Sequence, residues 1–344
     1  MNMKFSLFYP VADYEENKSL SSLYKETIDM AILAESLGFE CIYFNEGHGK
    51  SPNYKCPNAR ILISAIAQHT ASLQLGVAIT GLTMKDPRFL AEDVIMLDSI
   101  CKGRLIFGHS TGHVSNFREF GIDPNAVNEI YKIKVQAFLA FLKGQFINSE
   151  LEFLRYEDAS VALAPEFPDL HQRIFQGTTS LGNIRDIASK GMKLGFTLKT
   201  LPSQGQFNDS RSFEILSNVV KEYFLGWAAS EMHSSSPPPI SLNLMAHIFD
   251  DKSSNFDLVS SCMDRYWSVL TGMKQPKDLH IARYFEDGIS PMGSVKCVVE
   301  RLKKIDTVGI KSVMLCFDFG NMPKEVVINN MKRFSSDVMP HFKH

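Results

Sequence analysis

A carboxylate and an imidazole that could transfer protons stand two residues apart in the sequence. Glu46 and His48 follow the apolar run Cys41–Phe44, and His109 follows a second short run, Arg104–Phe107. An imidazole titrates near neutral pH and can act as a general acid or base, and a neighbouring carboxylate can support it. We therefore predict that His48 handles protons with support from Glu46, and that His109 is a further candidate. The alternative for Glu46 is that it only anchors a loop.

A second segment combines hydroxyl side chains with the start of a helix. Gly177–Asn183 reads Gly-Thr-Thr-Ser-Leu-Gly-Asn and leads into a helical pattern. Free N–H groups and the positive dipole end of a helix, together with hydroxyl donors, suit an anion such as phosphate. Ser and Thr also cap helices routinely. The segment therefore predicts either a phosphate site or a helix cap at Thr178, Thr179 or Ser180.

Two further patterns give minor alternatives. Gly108–Gly112 formally matches the G-x-S-x-G nucleophile elbow of α/β-hydrolases, with Ser110 as the nucleophile, but no convincing helix follows it. A metal site could be imagined from the side chains with ligand chemistry, which are Glu46, His48, His109 and His113. None of these pairs has the H-E-x-x-H spacing of a helical zinc site, so we expect no metal.

The elements that must position these residues alternate along the whole chain. Eight strand candidates are each followed by a helical pattern: Phe5–Tyr9, Cys41–Phe44, Leu73–Ile79, Arg104–Phe107, Arg173–Gln176, Leu194–Leu198, Ile240–Phe249 and Ser312–Phe317. Eight such β-then-α units predict a single (β/α)8 TIM barrel with insertions, covering residues 1–344 as one domain. The stretches Asn148–Leu170 and Thr271–Pro291 interrupt the alternation and are predicted to lack regular structure.

Composition narrows the class of protein. The 344 residues include 36 Lys and Arg against 38 Asp and Glu, a formal charge of −2, so the basic excess of a general nucleic-acid binder is absent. No apolar run reaches the roughly 18 residues that a membrane span requires. The six cysteines are scattered without C-x-x-C spacing, which predicts reduced thiols in a cytoplasmic protein.

Several short motifs together resemble the bacterial luciferase-like monooxygenases, and among them the luciferase subunits. The segment Glu46-Gly47-His48 resembles the E-H-H segment of that family, and Phe334–Pro340 is similar to the luciferase α subunit. The remaining matching motifs, in chain order, are Met3-Lys4-Phe5, Gly38-Phe39-Glu40, Ala91–Val94, Leu97-Asp98, Lys102-Gly103-Arg104 and Phe117–Gly121.

The resemblance implies a flavin-dependent monooxygenase. It implies a (β/α)8 barrel that binds reduced FMN supplied by a separate flavin reductase, reacts with O2 through a C4a-peroxyflavin, and oxygenates a small carbonyl compound such as an aldehyde or ketone. It also implies a homodimer or a heterodimer with a homologue. The deazaflavin F420, which some relatives use, is the alternative cofactor.

The resemblance also implies the cofactor contacts. Ala78 and Ile79 would form a non-proline cis peptide under the flavin ring, Ser110 would face the ring, and the phosphate would lie at Thr179, Ser180 and Asn183. The full set of implied cofactor-binding positions is Ala78, Ile79, Ser110, Thr111, Gly177, Thr178, Thr179, Ser180, Asn183, Thr197 and Leu198.

Three departures from the family pattern support a second hypothesis. Gly47 stands where the resemblance implies the catalytic histidine, and Thr111 and Asn128 stand at or near positions of phosphate-binding arginines. The lid segment, Thr271–Pro291, is short. The alternative function is therefore a non-catalytic partner of an active homologue, similar to the luciferase β subunit.

Overall fold

The computed structural model describes residues 2–15, 17–49, 53–197, 209–231, 235–249, 255–271 and 289–342. Within these ranges the strands are β1 (Lys4–Tyr9), β2 (Cys41–Phe44), β3 (Gln74–Gly81), β4 (Leu105–Ser110), β5 (Ile147–Leu151), β6 (Leu154–Ala159), β7 (Ile174–Thr178), β8 (Lys193–Thr197), β9 (Ser241–Met245), β10 (His247–Ile248), β11 (Met292–Gly293) and β12 (Ser312–Cys316).

The α-helices of the described ranges alternate with the strands. They are α1 (Leu20–Ser36), α2 (Ala59–Ile66), α3 (Pro87–Ile100), α4 (Val114–Phe117), α5 (Val127–Leu142), α6 (Ile184–Ser189), α7 (Asp209–Ala228), α8 (Phe256–Thr271), α9 (Val295–Thr307) and α10 (Lys324–Arg333). Of these helices, none is both long enough and apolar enough to cross a membrane.

Eight parallel strands close into a barrel in the order β1-β12-β9-β8-β7-β4-β3-β2. All four residues of β2 are buried, as expected for a parallel strand that is covered by helices outside and by side chains inside. Local sequence fixes the helix starts, because the side chains of Ser19, Asn58, Asp86 and Ser294 accept hydrogen bonds from the first turns of α1, α2, α3 and α9. The predicted (β/α)8 barrel is confirmed.

Two sequence predictions of local structure were wrong. The stretch Asn148–Leu170 was expected to lack regular structure, but β5 and β6 form an antiparallel hairpin in it. Most of the hairpin residues are exposed, so the segment has no apolar periodicity to reveal a strand. The run Ile240–Phe249 was expected to be one strand; it divides into β9, in the barrel, and β10, which pairs with β11 outside it.

Aromatic rings fill the inside of the barrel below its open end. Phe175 and Tyr43 pack edge to face with 6.1 Å between ring centroids, and they belong to a buried cluster separate from the main core. Inward-facing glycines make room for the rings, since a Cβ atom at Gly76 would lie 2.1 Å from Tyr43 and one at Gly108 would lie 2.2 Å from Phe175. These rings form a floor under the C-terminal ends of the strands.

Candidate active site

The residues predicted for the site lie on five neighbouring strands. In the barrel order β8-β7-β4-β3-β2 each strand adjoins the next. The predicted residues stand at or just after their C-terminal ends: Glu46 and His48 after β2, Ala78 and Ile79 in β3, Ser110 and Thr111 at β4, Gly177 and Thr178 in β7, and Thr197 in β8. The structure therefore brings most of the predicted set into one arc, where barrel enzymes carry their active sites.

The arc is open above the aromatic floor. Ile79, Ser110, Gly177 and Thr178 are partly exposed and Thr197 is exposed, whereas Phe175 below them is buried. The peptide bond between Ala78 and Ile79 is cis, as the resemblance implied. Leu198 lies outside the described residues, and so does most of the predicted lid Thr271–Pro291.

Buried ionic contacts hold the Glu46 carboxylate. One oxygen, Oε1, accepts hydrogen bonds from Arg60 Nη1 at 3.1 Å and from the Ala59 backbone N–H at 3.2 Å. The Arg60 guanidinium also donates to Asp93 at 3.2 Å and to Thr80 at 3.4 Å. Burial alone would raise the pKa of Glu46, but His48, Arg60 and Lys85 together hold it below the usual value. Glu46 therefore stays ionised at neutral pH.

His48 is placed beside this carboxylate. Its Nε2 atom lies 3.9 Å from Oε2 of Glu46, which is an ion-pair distance, and it has no hydrogen-bond partner among the described residues. The imidazole packs edge to face on Phe120 with 5.6 Å between centroids, and the His48 backbone carbonyl accepts a hydrogen bond from the Asn116 side chain at 2.7 Å. The Nε2 atom is inaccessible and faces the Glu46 carboxylate, so the structure pairs the imidazole with this carboxylate.

Gly47 leaves no room for a side chain. A Cβ atom at this position would lie 2.4 Å from the Cβ atom of Tyr54, and the Gly47 backbone N–H donates to the Cys56 carbonyl at 3.0 Å. Tyr54 is therefore packed against the position where the resemblance implied a histidine. The structure explains this departure by a close approach of two loop segments.

His109 does not face the arc. Ile106 belongs to the inward-facing cluster, so by alternation His109 points out of the barrel. There its Nδ1 atom lies 2.9 Å from the Tyr131 hydroxyl, and its ring packs on Phe138 of α5. Burial lowers the pKa of His109 to about 3, so the ring stays neutral. The expectation that His109 handles protons at the site is thus at odds with its placement.

The hydrolase and metal alternatives find no support in the described residues. The Ser110 hydroxyl accepts a hydrogen bond from the Gly112 backbone at 3.1 Å, and no hydrogen bond joins it to a histidine. The helix α4 that follows is a single turn, whereas a nucleophile elbow opens directly into a long helix. Where the chain is described, no three His, Cys, Asp or Glu side chains are grouped to hold a metal ion.

The segment after β7 keeps its hydroxyl groups free of capping roles. A 3-10 turn at Leu181–Asn183 precedes the short helix α6, and neither Ser180 nor Asn183 makes a side-chain cap. The Thr178 hydroxyl accepts a hydrogen bond from the Ser180 backbone at 3.0 Å. Arg185, the cationic residue nearest in sequence, is paired with Glu222 at 2.8 Å. The helix cap offered by the sequence is therefore not formed, and the loop exposes Thr179, Ser180 and Asn183.

Two residues of this region were missed by sequence reasoning as site residues. Arg60 fixes Glu46, and only the tertiary fold places it there. Asp318 follows β12, and burial raises its pKa to about 7 while the Tyr9 hydroxyl donates a hydrogen bond to it. An acidic residue between Phe317 and Phe319, immediately beyond a predicted strand, was the available signal.

The fold and the arc define a barrel protein with its site at the C-terminal ends of the strands. A family model described as luciferase-like monooxygenase matches residues 3–206, and the chain belongs to that family. The alkanal monooxygenase alpha chain of the Kryptophanaron alfredi symbiont is 22% identical over 338 residues, which cover 93% of each chain. This confirms the resemblance seen in the motifs.

Other relatives match over a shorter length. An uncharacterized protein, y4wF, of Sinorhizobium fredii is 26% identical over 160 residues, which are 46% of this chain and 45% of that protein. The chain therefore spans about half the length of this curated relative.

Solved structures share the fold. Monooxygenase RslO1 from Streptomyces bottropensis superposes with a TM-score of 0.84 at 19% identity, covering 99% of this chain and 100% of that one. The oxygenating constituent of 3,6-diketocamphane monooxygenase of Pseudomonas putida, a complex with FMN, gives 0.75 at 17% identity and 99% of each chain. An F420-dependent secondary alcohol dehydrogenase gives 0.76 at 14% identity and 100% of each chain.

Proposed function

We propose that this protein is a monooxygenase that uses reduced FMN and O2 to oxygenate a small organic carbonyl compound. The observation that carries the proposal is the arc on β2, β3, β4, β7 and β8, which places the Glu46–His48 pair and partly exposed strand ends around a buried aromatic floor. The family and the printed descriptions of its relatives, an alkanal monooxygenase and an FMN complex, support the chemistry.

The described residues fit a flat ring with an anionic tail. Ile79, Ser110 and Gly177 are partly exposed above the buried floor, and a planar ring system would lie over them. The uncapped loop offers hydroxyl and amide groups at Thr179, Ser180 and Asn183 for a phosphate. Thr111 and Asn128 give no cationic contact there, so we expect binding weaker than two arginines would give, by about 1.5–3 kcal/mol each.

The bound flavin would supply the electrons that activate O2. The residues of this chain would orient the reactants and move protons. The Glu46 carboxylate, fixed by Arg60, would orient the His48 imidazole beside it. The imidazole would then give or accept the proton that the oxygenation of the substrate requires.

An anaerobic titration tests the proposal. We expect both FMN and photoreduced FMN to bind the purified protein, with the reduced form bound at least as tightly, and F420 to bind less well. Admitting air together with an aldehyde should then consume O2 and yield the carboxylic acid. Binding of neither flavin by the protein, alone or mixed with a homologue that has an intact E-H-H segment, would contradict the proposal.

A second candidate, a non-catalytic partner subunit, is favoured by one observation. Tyr54 occupies the space beside Gly47, so the histidine that the family resemblance implies has no counterpart in this chain. Under this alternative the chain would bind and stabilise a homologue, and the homologue would carry out the oxygenation. Turnover by the purified chain alone excludes it.

A further inference from the structure

A second group of polar side chains lies where β1 and β12 end, and β1 adjoins β2 at one end of the arc. Tyr9 ends β1, and its hydroxyl donates a hydrogen bond to Asp318, which follows β12. The loops beyond these strands are tied together, because the Tyr14 backbone N–H donates to the Asn321 side chain at 2.9 Å and Asn321 donates to Asp13 at 3.2 Å. The group is therefore held in place by both strands.

Tyr14 has a buried hydroxyl group that is not used within the described part of the protein. Its oxygen is inaccessible and has no hydrogen-bond partner there. The ring packs on Tyr266 of α8 with 6.3 Å between centroids. Tyr54 and Tyr14 are close enough to affect each other's ionisation. A buried hydroxyl without a partner is costly, and a ligand can satisfy it.

This group adjoins the Glu46–His48 loop. Tyr54 packs against Gly47, which stands between Glu46 and His48, and a Cβ atom at Gly47 would lie 2.4 Å from the Tyr54 Cβ. Cys316, at the end of β12, influences the ionisation of both Tyr14 and Tyr54, which places it in the same group. Tyr54 therefore links the group around Tyr14 to the loop that carries Glu46 and His48.

The surrounding charges define which ligand group fits. Burial raises the pKa of the Tyr14 phenol well above its ordinary value, so Tyr14 is a hydrogen-bond donor at neutral pH. The groups that act on Asp318 or Tyr14 from neighbouring elements are Tyr9, Lys18, Glu26, Tyr54, Cys316 and Tyr266. Glu26 and an ionised Asp318 repel an anion, and Lys18 offsets part of that repulsion. A donor without an acceptor attracts a neutral oxygen.

We propose that the Tyr14 hydroxyl, next to Asp318 and Tyr9, forms a subsite that binds the carbonyl or hydroxyl oxygen of a neutral substrate. This inference rests on the proposed function and assigns the residues that would hold the substrate's polar end. Tyr14 is the donor, and Asp318 selects against carboxylates. The aliphatic part of the substrate would then lie toward the partly exposed strand ends of the arc.

A pair of probes with the same shape tests the role of Tyr14. Heptanal and 1-octene differ in that a carbonyl oxygen replaces a methylene group, so only heptanal can accept a hydrogen bond. Calorimetric titration of the full chain under argon, with and without FMN, should show heptanal bound at least about fivefold more tightly. Tyr14→Phe should remove this preference and leave the affinity for 1-octene unchanged.

A matched control separates this effect from a general loss of a tyrosine hydroxyl. The Tyr156 hydroxyl donates a hydrogen bond to Asp86 at 2.9 Å, and Tyr156 lies on β6, outside the barrel. Tyr156→Phe should keep the full preference for heptanal. Equal affinities for the two probes in the wild type, or a preference that survives Tyr14→Phe, would overturn the inference. Because no oxygenation is measured, a protein that discriminates the probes but never consumes O2 would refute only the proposed function.

The role of Asp318 has its own test. At pH 8 the wild type should bind heptanoate more weakly than heptanal, because both Asp318 and the ligand are then charged. Asp318→Asn should strengthen heptanoate binding several-fold without changing the affinity for heptanal by more than about twofold. An unchanged affinity for heptanoate would show that Asp318 does not select against anions.

Discussion

The candidate proton-handling pair, Glu46 and His48, depends on Arg60, a residue to which we assign no step of the reaction. Glu46 is almost completely buried, and a buried carboxylate stays ionised only when it is paired. Arg60 provides that pairing at 3.1 Å and is itself buried. The Nε2 atom of His48 lies 3.9 Å from Oε2 of this carboxylate. Arg60 therefore fixes the charged group that the His48 imidazole faces.

Replacing His48 by Ala tests the role of the imidazole. We expect the rate of substrate oxidation per bound flavin to fall about 100-fold or more, the usual effect of removing a general acid or base. The dissociation constant for FMN should change by less than about threefold, because His48 is not among the phosphate-binding positions. His113→Ala, an exposed histidine of the neighbouring loop, is the control. Equal turnover by His48→Ala would refute the role.

Asp318 should make stability depend on pH in a definite direction. Its pKa is about 7 in the folded protein, against about 3.9 in an unfolded chain. Between these two pH values the folded state binds more protons than the unfolded chain. The contribution of Asp318 to stability is therefore fully present below pH about 4 and is lost as the pH rises through about 7. Asp318→Asn should therefore gain stability relative to the wild type between pH 5 and 8, on the order of 1–4 kcal/mol. Denaturant unfolding of both proteins at pH 5 and at pH 8 measures the difference in their free energies of unfolding. A difference that is the same at the two pH values would contradict the prediction.

At the scale of elements, the loop after β2 is shaped by what packs on it. The segment around Tyr54 runs antiparallel to the loop after β1 through a bridge between Ala12 and Tyr54. This brings Tyr54 against Gly47 and holds Glu46 and His48 on either side of the contact. The spacing of Glu46 and His48 is visible in the sequence, but their orientation depends on a segment that packs on this loop from outside it.

A side chain at Gly47 should destabilise the protein. Gly47→Ala places a Cβ atom 2.4 Å from the Tyr54 Cβ, which is not the mobile end of a side chain, so the backbone must move. We expect a loss of about 1–3 kcal/mol in the free energy of unfolding. Gly182→Ala is the matched control, because its Cβ would meet only Ser180 Oγ at 3.7 Å. Equal stabilities of the two variants would show that the loop adapts freely.

At the scale of the whole molecule, one outer face carries exposed apolar side chains. Ile61 on α2 and Phe89 and Met96 on α3 are 69%, 68% and 55% exposed. Phe89 and Met96 are seven residues apart and so share one face of α3. A face of this kind is typical of an interface between protein chains. It supports the dimer that the family resemblance implied.

Disrupting this face should produce monomers. We expect the wild-type protein to sediment as a dimer at micromolar concentration, and Phe89→Glu to shift it to a monomer, because a charge would be buried in an apolar interface. Phe146 is 72% exposed and lies on neither α2 nor α3, so Phe146→Glu should leave the dimer intact. A wild-type protein that sediments as a monomer in the absence of a homologue would instead indicate a heterodimer.

The fold could be predicted because the same sequence pattern, an apolar run followed by a helical pattern, is repeated along the chain. Each barrel strand is a short apolar run and each is followed by a helix, so errors at single boundaries did not change the count. The hairpin β5–β6 could not be predicted, because its stability comes from cross-strand bonds such as Asn148 to Asp158 at 3.0 Å rather than from a buried face. The residues at strand ends could be predicted as well, because locating a strand in the sequence also locates the residues that follow it.

By itself the sequence determined the closed ring of β-then-α units, and thereby the edge at which Glu46, Ser110 and Thr178 meet, because parallel strands in a barrel all end on one side. Only the tertiary structure decided which of these side chains turn inward and what state of charge they keep. His109 and Ser110 are adjacent in sequence but lie on opposite sides of the barrel wall. Arg60, Tyr54 and Tyr9 reach Glu46, Gly47 and Asp318 from other elements. Ionisation and orientation depend on such contacts between segments distant in sequence, and no local pattern records them.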